Sequence, residues 1–159
     1  MYNLRVNSGH LNFSAAHFIT FAGKCERLHG HNYAVDVYLE GGLTKDDYVF
    51  DFVELKRIVK ALCDTLDHKF LLPGGNEHFR VTRANSEVEI RVDGRRYVFP
   101  EQDVLDLPVN NITAECLAGY LATKLFESIS DPGNLTLIQV GVEEAPGQAA
   151  SHRILVGQA

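Results

Sequence analysis

The sequence predicts an α+β fold in which an antiparallel β-sheet carries two helices on one face. Three observations support this prediction: strand-like alternation near both ends of the chain, two segments with a helical apolar period, and short connections between successive strands. A β-hairpin is expected within an insertion at about residues 75–110. The 159 residues are typical of a single domain, so we expect one domain over 1–159.

The first half of the chain is predicted to form two strands and then a helix. The predicted segments are a strand at 2–18, a loop at 19–28, a strand at 31–40 and a helix that follows Asp51 and stops before Pro73. Tyr33, Val35 and Val37 alternate with more polar residues, which is typical of a half-buried strand. Asp51 suits an N-cap, because its carboxylate can accept hydrogen bonds from free backbone amides of the first turn.

The second half is predicted to contain the hairpin, a second helix and a final pair of strands. The hairpin is predicted at 79–100, the helix at 113–128, and the two strands at 135–144 and 152–156. Asp93-Gly94 is a typical type I′ turn sequence and would join the two strands of the hairpin. The helix is expected to end before Asp131-Pro132-Gly133, because proline and glycine do not continue a helix.

The composition excludes several classes of protein. A net charge of −6 argues against a nucleic-acid surface. The apolar runs are much shorter than the ~20 residues of a membrane span, and residues 1–5 lack the pattern of a signal peptide. Three cysteines are a small set with an odd number of members, which argues against a disulfide framework. They favour a reducing, cytoplasmic location.

The run Cys25–His31 indicates a metal site. His29 and His31 lie two residues apart, so in a strand their imidazoles point to the same face. His17, on a neighbouring strand, can supply a third imidazole. Three neutral imidazoles with one open position are common around catalytic zinc, so Zn²⁺ is the expected ion.

Cys25 has two interpretations. It can be a fourth ligand, which would make a closed structural zinc site. Alternatively it is a nucleophile or base beside the metal, with its thiol pKa lowered by the nearby cation.

Polar residues at three other places in the chain each have a structural explanation as well as a functional one. Asp67-His68 can simply terminate the first helix, or can form a proton relay. Thr113 and Glu115 are sufficiently explained as an N-cap and a first-turn acid. Glu144 continues the apolar face of the strand that starts at Leu135, and a carboxylate there needs a donor such as a bound ligand, unless the strand has already ended.

Together these residues resemble the 6-pyruvoyltetrahydropterin synthase / 6-carboxytetrahydropterin synthase family. The most specific part of the resemblance is a cysteine that is followed by three other residues and then by His-Gly-His. The matching segments cover most of the chain in the family's order: 13–17, 25–31, 49–52 with 55–56, 66–68, 113–115 and the strand that ends at Glu144.

The resemblance implies the T-fold, in which sheets of three subunits close into a barrel. It also implies homotrimers or hexamers with active sites between subunits, and Zn²⁺ held by His17, His29 and His31. Cys25 is similar to the family's general base. Asp67 and His68 are similar to its relay pair, which can come from another subunit.

The resemblance further implies 7,8-dihydroneopterin triphosphate as the substrate. Glu144 is similar to the carboxylate that binds the guanidine-like edge of the pterin, with Thr113 and Glu115 lining the same pocket. Lys24 and Arg27 are the local candidates for triphosphate recognition. The expected products are 6-carboxytetrahydropterin, triphosphate and acetaldehyde, in the pathway to queuosine.

Several alternatives stay open. Glu26 resembles the glutamate of relatives associated with folate synthesis, which leave 6-hydroxymethyl-dihydropterin, and a chain with both Cys25 and Glu26 resembles the branch that serves both pathways. Formation of 6-pyruvoyltetrahydropterin is a further outcome within the class. A T-fold protein that binds pterin or purine without turnover is an alternative of a different class.

Overall fold

The structure, a computed structural model, describes residues 1–157. The predicted α+β arrangement is confirmed. The helices are α1 (Phe52–Leu66) and α2 (Ala114–Ser128). The strands are β1 (Tyr2–His17), β2 (Thr20–Phe21), β3 (Lys24–Cys25), β4 (His29–Gly41), β5 (Lys69–Pro73), β6 (Arg80–Ala84), β7 (Glu87–Val92), β8 (Arg95–Pro100), β9 (Val104–Leu107), β10 (Leu135–Ala145) and β11 (Gln148–Leu155).

The main sheet has six strands in the order β11-β10-β4-β1-β5-β9. The four strands from β11 to β1 are antiparallel, as expected, whereas β5 pairs with β1 in parallel and β9 pairs with β5 in parallel. The sheet is therefore mixed: the predicted antiparallel pairing is found from β11 to β1, and β5 and β9 add parallel pairs at one edge. Four of the five residues of β5 are buried, so the segment lacks the alternation that marks a half-buried strand.

Both helices begin at the predicted caps. The Asp51 side chain accepts hydrogen bonds from the backbone amides of Val53 and Glu54 at 2.6 and 3.0 Å. Thr113 Oγ1 accepts from the amide of Cys116 at 3.3 Å. Both helices contribute apolar residues to the core cluster that covers one face of the main sheet. No helix within residues 1–157 is long and apolar enough to cross a membrane.

The pairing of β1 with β4 positions the predicted metal ligands. Ala15 lies opposite His31, and His17 lies opposite His29. Phe13 and Tyr33 stack with ring centroids 4.8 Å apart, and both are buried. The histidines therefore extend the core face of two paired strands, as the sequence predicted.

The segment predicted as an insertion forms a three-stranded antiparallel sheet, β6-β7-β8, rather than a two-stranded hairpin, and it is called the inserted sheet from here on. The Asp93-Gly94 turn is confirmed, with both residues at positive φ. Asn85 and Ser86 also have positive φ and connect β6 to β7. This second turn lacks glycine, so it does not carry the usual sequence of a tight turn. All residues of β6 are exposed, so the sequence of this strand has no apolar alternation.

One face of the inserted sheet packs on a second apolar cluster, beside the main sheet. This cluster joins Val88, Ile90 and Val92 to Phe18 and to Cys25, which belongs to the 19–28 region. That region contains the short antiparallel ladder β2-β3, although a loop was predicted. The insertion therefore lies directly against the segment that leads into His29 and His31.

Candidate active site

Three imidazoles converge where β1 ends and β4 begins. His17 is fully buried, His31 is half-buried and His29 is exposed. One ring nitrogen from each lies within 4.8 Å of the others, so the three can hold a metal ion. Tetrahedral bonds of about 2.0 Å place two ligand nitrogens about 3.3 Å apart, and the Nε2 atoms of His17 and His29 are 3.1 Å apart.

The hydrogen bonds of the rings support a cation at this position. His17 Nδ1 lies 2.8 Å from the carbonyl oxygen of Ile112, and His29 Nδ1 lies 2.7 Å from that of Arg27. A carbonyl oxygen can only accept, so each Nδ1 donates and each Nε2 carries a lone pair. Two lone pairs facing each other at 3.1 Å repel unless a cation lies between them, and ring N–H groups bonded to carbonyls are typical of metal-bound histidines.

Burial keeps the His17 imidazole neutral. Its pKa is lowered to about 4, mainly by loss of solvation, with a smaller contribution from repulsion by His29 and His31. The hydroxyl of Tyr33 lies 3.4 Å from His17 Nδ1. Burial raises the pKa of this phenol, and the negative charge of Glu144 adds to the effect. A neutral imidazole beside a protonated phenol is the state that can bind a metal ion.

A cavity of about 470 Å³ opens in front of the imidazoles. Its walls include four of the polar residues that the sequence predicted: Glu26, Thr113, Glu115 and Glu144. Ile19 and Gln148–Ala150 complete the lining beside the histidines. The structure therefore brings together metal ligands and carboxylates from β10, from α2 and from the loop before β4.

Cys25 and Glu26 lie on opposite sides of the backbone. Glu26 lines the cavity, whereas the Cys25 side chain is 8% exposed and packs in the second apolar cluster. Among the described residues Cys25 does not join the group of convergent ring nitrogens, so a four-ligand site is not formed. Burial raises the pKa of the Cys25 thiol, with Arg95 acting in the other direction.

Asp67 and His68 lie outside the cavity in front of the imidazoles. Asp67 accepts from the Ser14 amide at 2.7 Å and contacts His68 Nδ1 at 2.9 Å. The hydrogen bond from Ser14 is the main reason that the pKa of the Asp67 carboxyl is lowered. His68 lines a cavity of about 490 Å³ that shares His31 as a wall, and its side chain is 83% exposed. The contact between Asp67 and His68 is present, whereas its role as a proton relay stays a prediction, and this chain alone does not bring the pair to Glu26 or Glu144.

Lys24 and Arg27 are exposed, and neither lines the metal cavity. Arg27 contributes its backbone carbonyl to His29. Their role in triphosphate recognition stays a prediction.

Sequence reasoning missed three residues of the insertion that surround Cys25. Asp93 accepts from the Cys25 amide, His78 contacts Asp93, and Arg95 donates to the carbonyl of Cys25. The Asp93-Gly94 pair was interpreted only as a turn. No spacing in the sequence signals that this turn meets a loop 68 residues earlier.

The comparisons with known proteins agree over nearly the whole chain. The model of the family described as 6-pyruvoyl tetrahydropterin synthase matches residues 8–154. A Methanocaldococcus jannaschii protein, provisionally named 6-carboxy-5,6,7,8-tetrahydropterin synthase, is 37% identical over 155 residues, which cover 94% of this chain and 95% of its own length.

The structural comparison confirms the predicted T-fold. A solved structure of a Plasmodium vivax 6-pyruvoyltetrahydropterin synthase superposes with a TM-score of 0.93 at 33% identity, covering 98% of each chain. In that structure alanine replaces a glutamate described as a catalytic residue. A Pyrococcus furiosus protein named dihydroneopterin monophosphate aldolase is 41% identical over 59 residues, which cover 37% of this chain and 50% of its own length.

Proposed function

Because the chain belongs to the 6-pyruvoyl tetrahydropterin synthase family, we propose that this pterin lyase is zinc-dependent and acts on 7,8-dihydroneopterin triphosphate. One observation carries the proposal: three imidazoles converge on a cavity whose other walls present the carboxylates of Glu26 and Glu144. A set of three imidazoles with an open side fits zinc better than a hard ion that prefers oxygen ligands. Zinc, when bound, supplies Lewis acidity toward the hydroxyls of the substrate side chain.

The polar residues of the cavity wall would bind and orient the pterin ring. Glu144, at the end of β10, is proposed to accept two hydrogen bonds from the guanidine-like edge of the pterin. This contact would orient the ring so that its side chain reaches the imidazoles. Thr113 and Glu115 lie at the start of α2 and would complete the wall beside the ring.

The first candidate reaction yields 6-carboxytetrahydropterin, triphosphate and acetaldehyde. Triphosphate would leave the side chain, proton shifts would reduce the ring internally, and water would complete the cleavage that releases acetaldehyde. No external reductant is consumed. The name of the Methanocaldococcus jannaschii relative supports this product, and Cys25 is the base that the resemblance assigns to it.

The second candidate reaction leaves 6-hydroxymethyl-dihydropterin. It is favoured by the orientation of the two neighbouring side chains, since Glu26 faces the cavity and Cys25 is covered. The Plasmodium vivax protein, in which a glutamate is described as catalytic, supports a carboxylate base in this fold. Glu26 would then remove the proton of the 2′-hydroxyl, that oxygen would become an aldehyde as the C1′–C2′ bond breaks, and the pterin-side carbon would take up a proton. The two-carbon fragment would leave as a hydroxyaldehyde that still carries the triphosphate, so no oxidant or reductant is consumed.

Product analysis by mass spectrometry tests the proposal. Zinc-loaded protein is incubated with 7,8-dihydroneopterin triphosphate without reductant, alongside Glu26→Gln and Cys25→Ala variants. We expect turnover by the native protein, and each variant should lose the product that depends on the replaced group by about 100-fold or more. Zinc content is measured for every sample.

Each outcome has a distinct meaning. Loss of only the hydroxymethyl product in Glu26→Gln assigns the second reaction to this carboxylate. Loss of only 6-carboxytetrahydropterin in Cys25→Ala assigns the first reaction to the thiol. Absence of turnover in folded, zinc-loaded native protein would overturn the proposed substrate and favour a pterin-binding protein.

A further inference from the structure

The inserted sheet makes three polar contacts with the backbone of Cys25 and Glu26. Asp93 Oδ2 accepts a hydrogen bond from the Cys25 amide at 2.7 Å. The Arg95 guanidinium donates to the carbonyl oxygens of Cys25 and Glu26 at 2.7 and 3.2 Å. Both side chains come from the turn between β7 and β8 and the start of β8.

We propose that the inserted sheet β6-β7-β8 is a positioning element for the active-site loop. Through Asp93 and Arg95 it fixes the backbone of Cys25 and Glu26, so that Glu26 faces the imidazoles and Cys25 is withheld from them. The insertion thereby selects which of two adjacent acid–base groups meets the substrate. This inference rests on the proposed function only for its effect on turnover.

Strand geometry explains why a fixed backbone determines which side chain, Cys25 or Glu26, faces the imidazoles. Cys25 pairs with Thr20 in the β2-β3 ladder, and the Glu26 amide donates to the carbonyl of Ile19 at 2.8 Å. The segment is extended, so neighbouring side chains point in opposite directions. A rotation of this backbone would exchange the positions of the thiol and the carboxylate.

Apolar packing holds the same orientation. Cys25 lies in the second apolar cluster beside Phe18 and the buried face of β7. Val88 and Ile90 of that face are fully buried, so the cluster excludes water from the thiol. Turning Cys25 toward the imidazoles would leave a gap in this cluster and would place the Glu26 carboxylate against apolar side chains.

Two asparagines near the ends of the insertion hold the start of the loop. Asn76 Nδ2 donates to Thr20 Oγ1 at 2.9 Å. Asn111 Oδ1 accepts from the Thr20 amide at 3.1 Å, and its Nδ2 donates to the Thr20 carbonyl at 2.9 Å. The loop is thus bonded to the insertion region at both Thr20 and Cys25.

Charge contacts orient the two side chains that hold Cys25. His78 Nε2 lies 2.8 Å from Asp93 Oδ1, and Arg95 lies 3.8 Å from Asp93 Oδ2. Asp93 therefore has one oxygen on His78 and the other on the Cys25 amide. Hydrogen bonds that involve a charged partner are stronger than neutral ones, which suits a contact that must hold a loop in one conformation.

An Arg95→Ala variant tests the proposal, with Arg96→Ala as the matched control. Arg96 lies next in the same strand, but it pairs with Glu89 and is exposed. For Arg95→Ala we expect faster amide hydrogen exchange in a peptide spanning 22–28, faster iodoacetamide labelling of Cys25, and unchanged zinc content. If the native protein turns over, kcat should fall about 10- to 100-fold, because small misplacements of a reacting group have effects of this size, while KM stays within about twofold.

The outcomes separate this proposal from the proposed function. If the native protein does not turn over the substrate, hydrogen exchange and Cys25 labelling still decide whether the insertion holds the loop. Exchange and labelling equal to those of Arg96→Ala would overturn the proposal. If Arg95→Ala does not fold, Arg95→Lys replaces it, since one ammonium lacks the planar fork that serves two carbonyls. Amide hydrogen exchange of the 22–28 peptide should then be faster in Arg95→Lys than in the native protein. Exchange at the native rate would overturn the proposal.

Discussion

Among single side chains, Glu144 has the clearest proposed contact with the substrate ring. It lies at the end of β10 on the cavity wall, whereas the preceding Glu143 accepts a hydrogen bond from the Gly147 amide at 2.7 Å in the adjacent turn. For Glu144→Gln we expect pterin binding to weaken by roughly 10- to 100-fold, because the amide replaces one of the two acceptor oxygens with an NH2 donor and so cannot accept one hydrogen bond on each of two atoms as a carboxylate does. Calorimetry with a dihydropterin ligand measures this change.

Glu143→Gln is the matched control for that experiment. The substitution removes the same charge one position away, and the amide oxygen can still accept from Gly147. We expect its affinity for the ligand to stay within about threefold of the native value, since the charge is outside the cavity. Equal weakening in both variants would contradict a direct role for Glu144.

The sequence permitted prediction of the histidine cluster but not of the orientation of Cys25 and Glu26. Parity within a strand is local, so His29 and His31 had to share a face, and the confirmed pairing of strands then brought His17 beside them. The direction of Cys25 depends on the Thr20 ladder and on contacts with Asp93. These contacts are made by parts of the chain that no local pattern connects.

Among the strands, β4 depends on Gly30 for its close approach to β1. A Cβ atom at this position would lie 2.6 Å from the carbonyl oxygen of Ala15 and 3.3 Å from Ala16 Cα. These neighbours are backbone atoms, so the two strands would have to separate between His29 and His31. For Gly30→Ala we expect a loss of stability of about 1–3 kcal/mol and weaker zinc binding, measured by urea unfolding and by metal titration.

Gly9→Ala provides the comparison for the strand experiment. Gly9 lies in β1 at the irregular part of the β1-β4 pairing, and a Cβ there would have no neighbour within 4 Å. We expect native zinc affinity and a change in stability of at most about 0.5 kcal/mol. If Gly30→Ala behaved in the same way, the close approach at Gly30 would not be what aligns the imidazoles.

The elements with strong local signals were the ones that could be predicted. The apolar period of α1 and the Asp51 cap are local, and both were found as expected. Strands β5 and β9 are short, and β5 is almost entirely buried. β5 pairs with β1 and β9 pairs with β5, and each pairing joins segments that are distant in the chain, so the existence of these strands depends on tertiary contacts rather than on alternation.

For the assembled protein, we propose on the resemblance that the active site is shared between subunits, and the separate location of Asp67 and His68 motivates this proposal. Within one chain the pair lies outside the cavity that holds Glu26 and Glu144, and His68 is largely exposed. The resemblance places the relay pair of one subunit at the metal of another. An exposed imidazole held by an aspartate is a suitable group for such a shared site, because its partner fixes the ring while one nitrogen remains available.

Subunit mixing tests this arrangement directly. We expect His29→Ala, which lacks a metal ligand, and His68→Ala, which lacks the relay imidazole, each to lose activity when purified alone. Co-expressed in equal amounts, they should recover about a quarter of native activity, because a site built from two subunits has both intact halves with a probability of one half times one half. Light scattering would show the trimer or hexamer in both variants. Absence of recovery in a mixed oligomer, with both variants folded, would place the whole site within one chain.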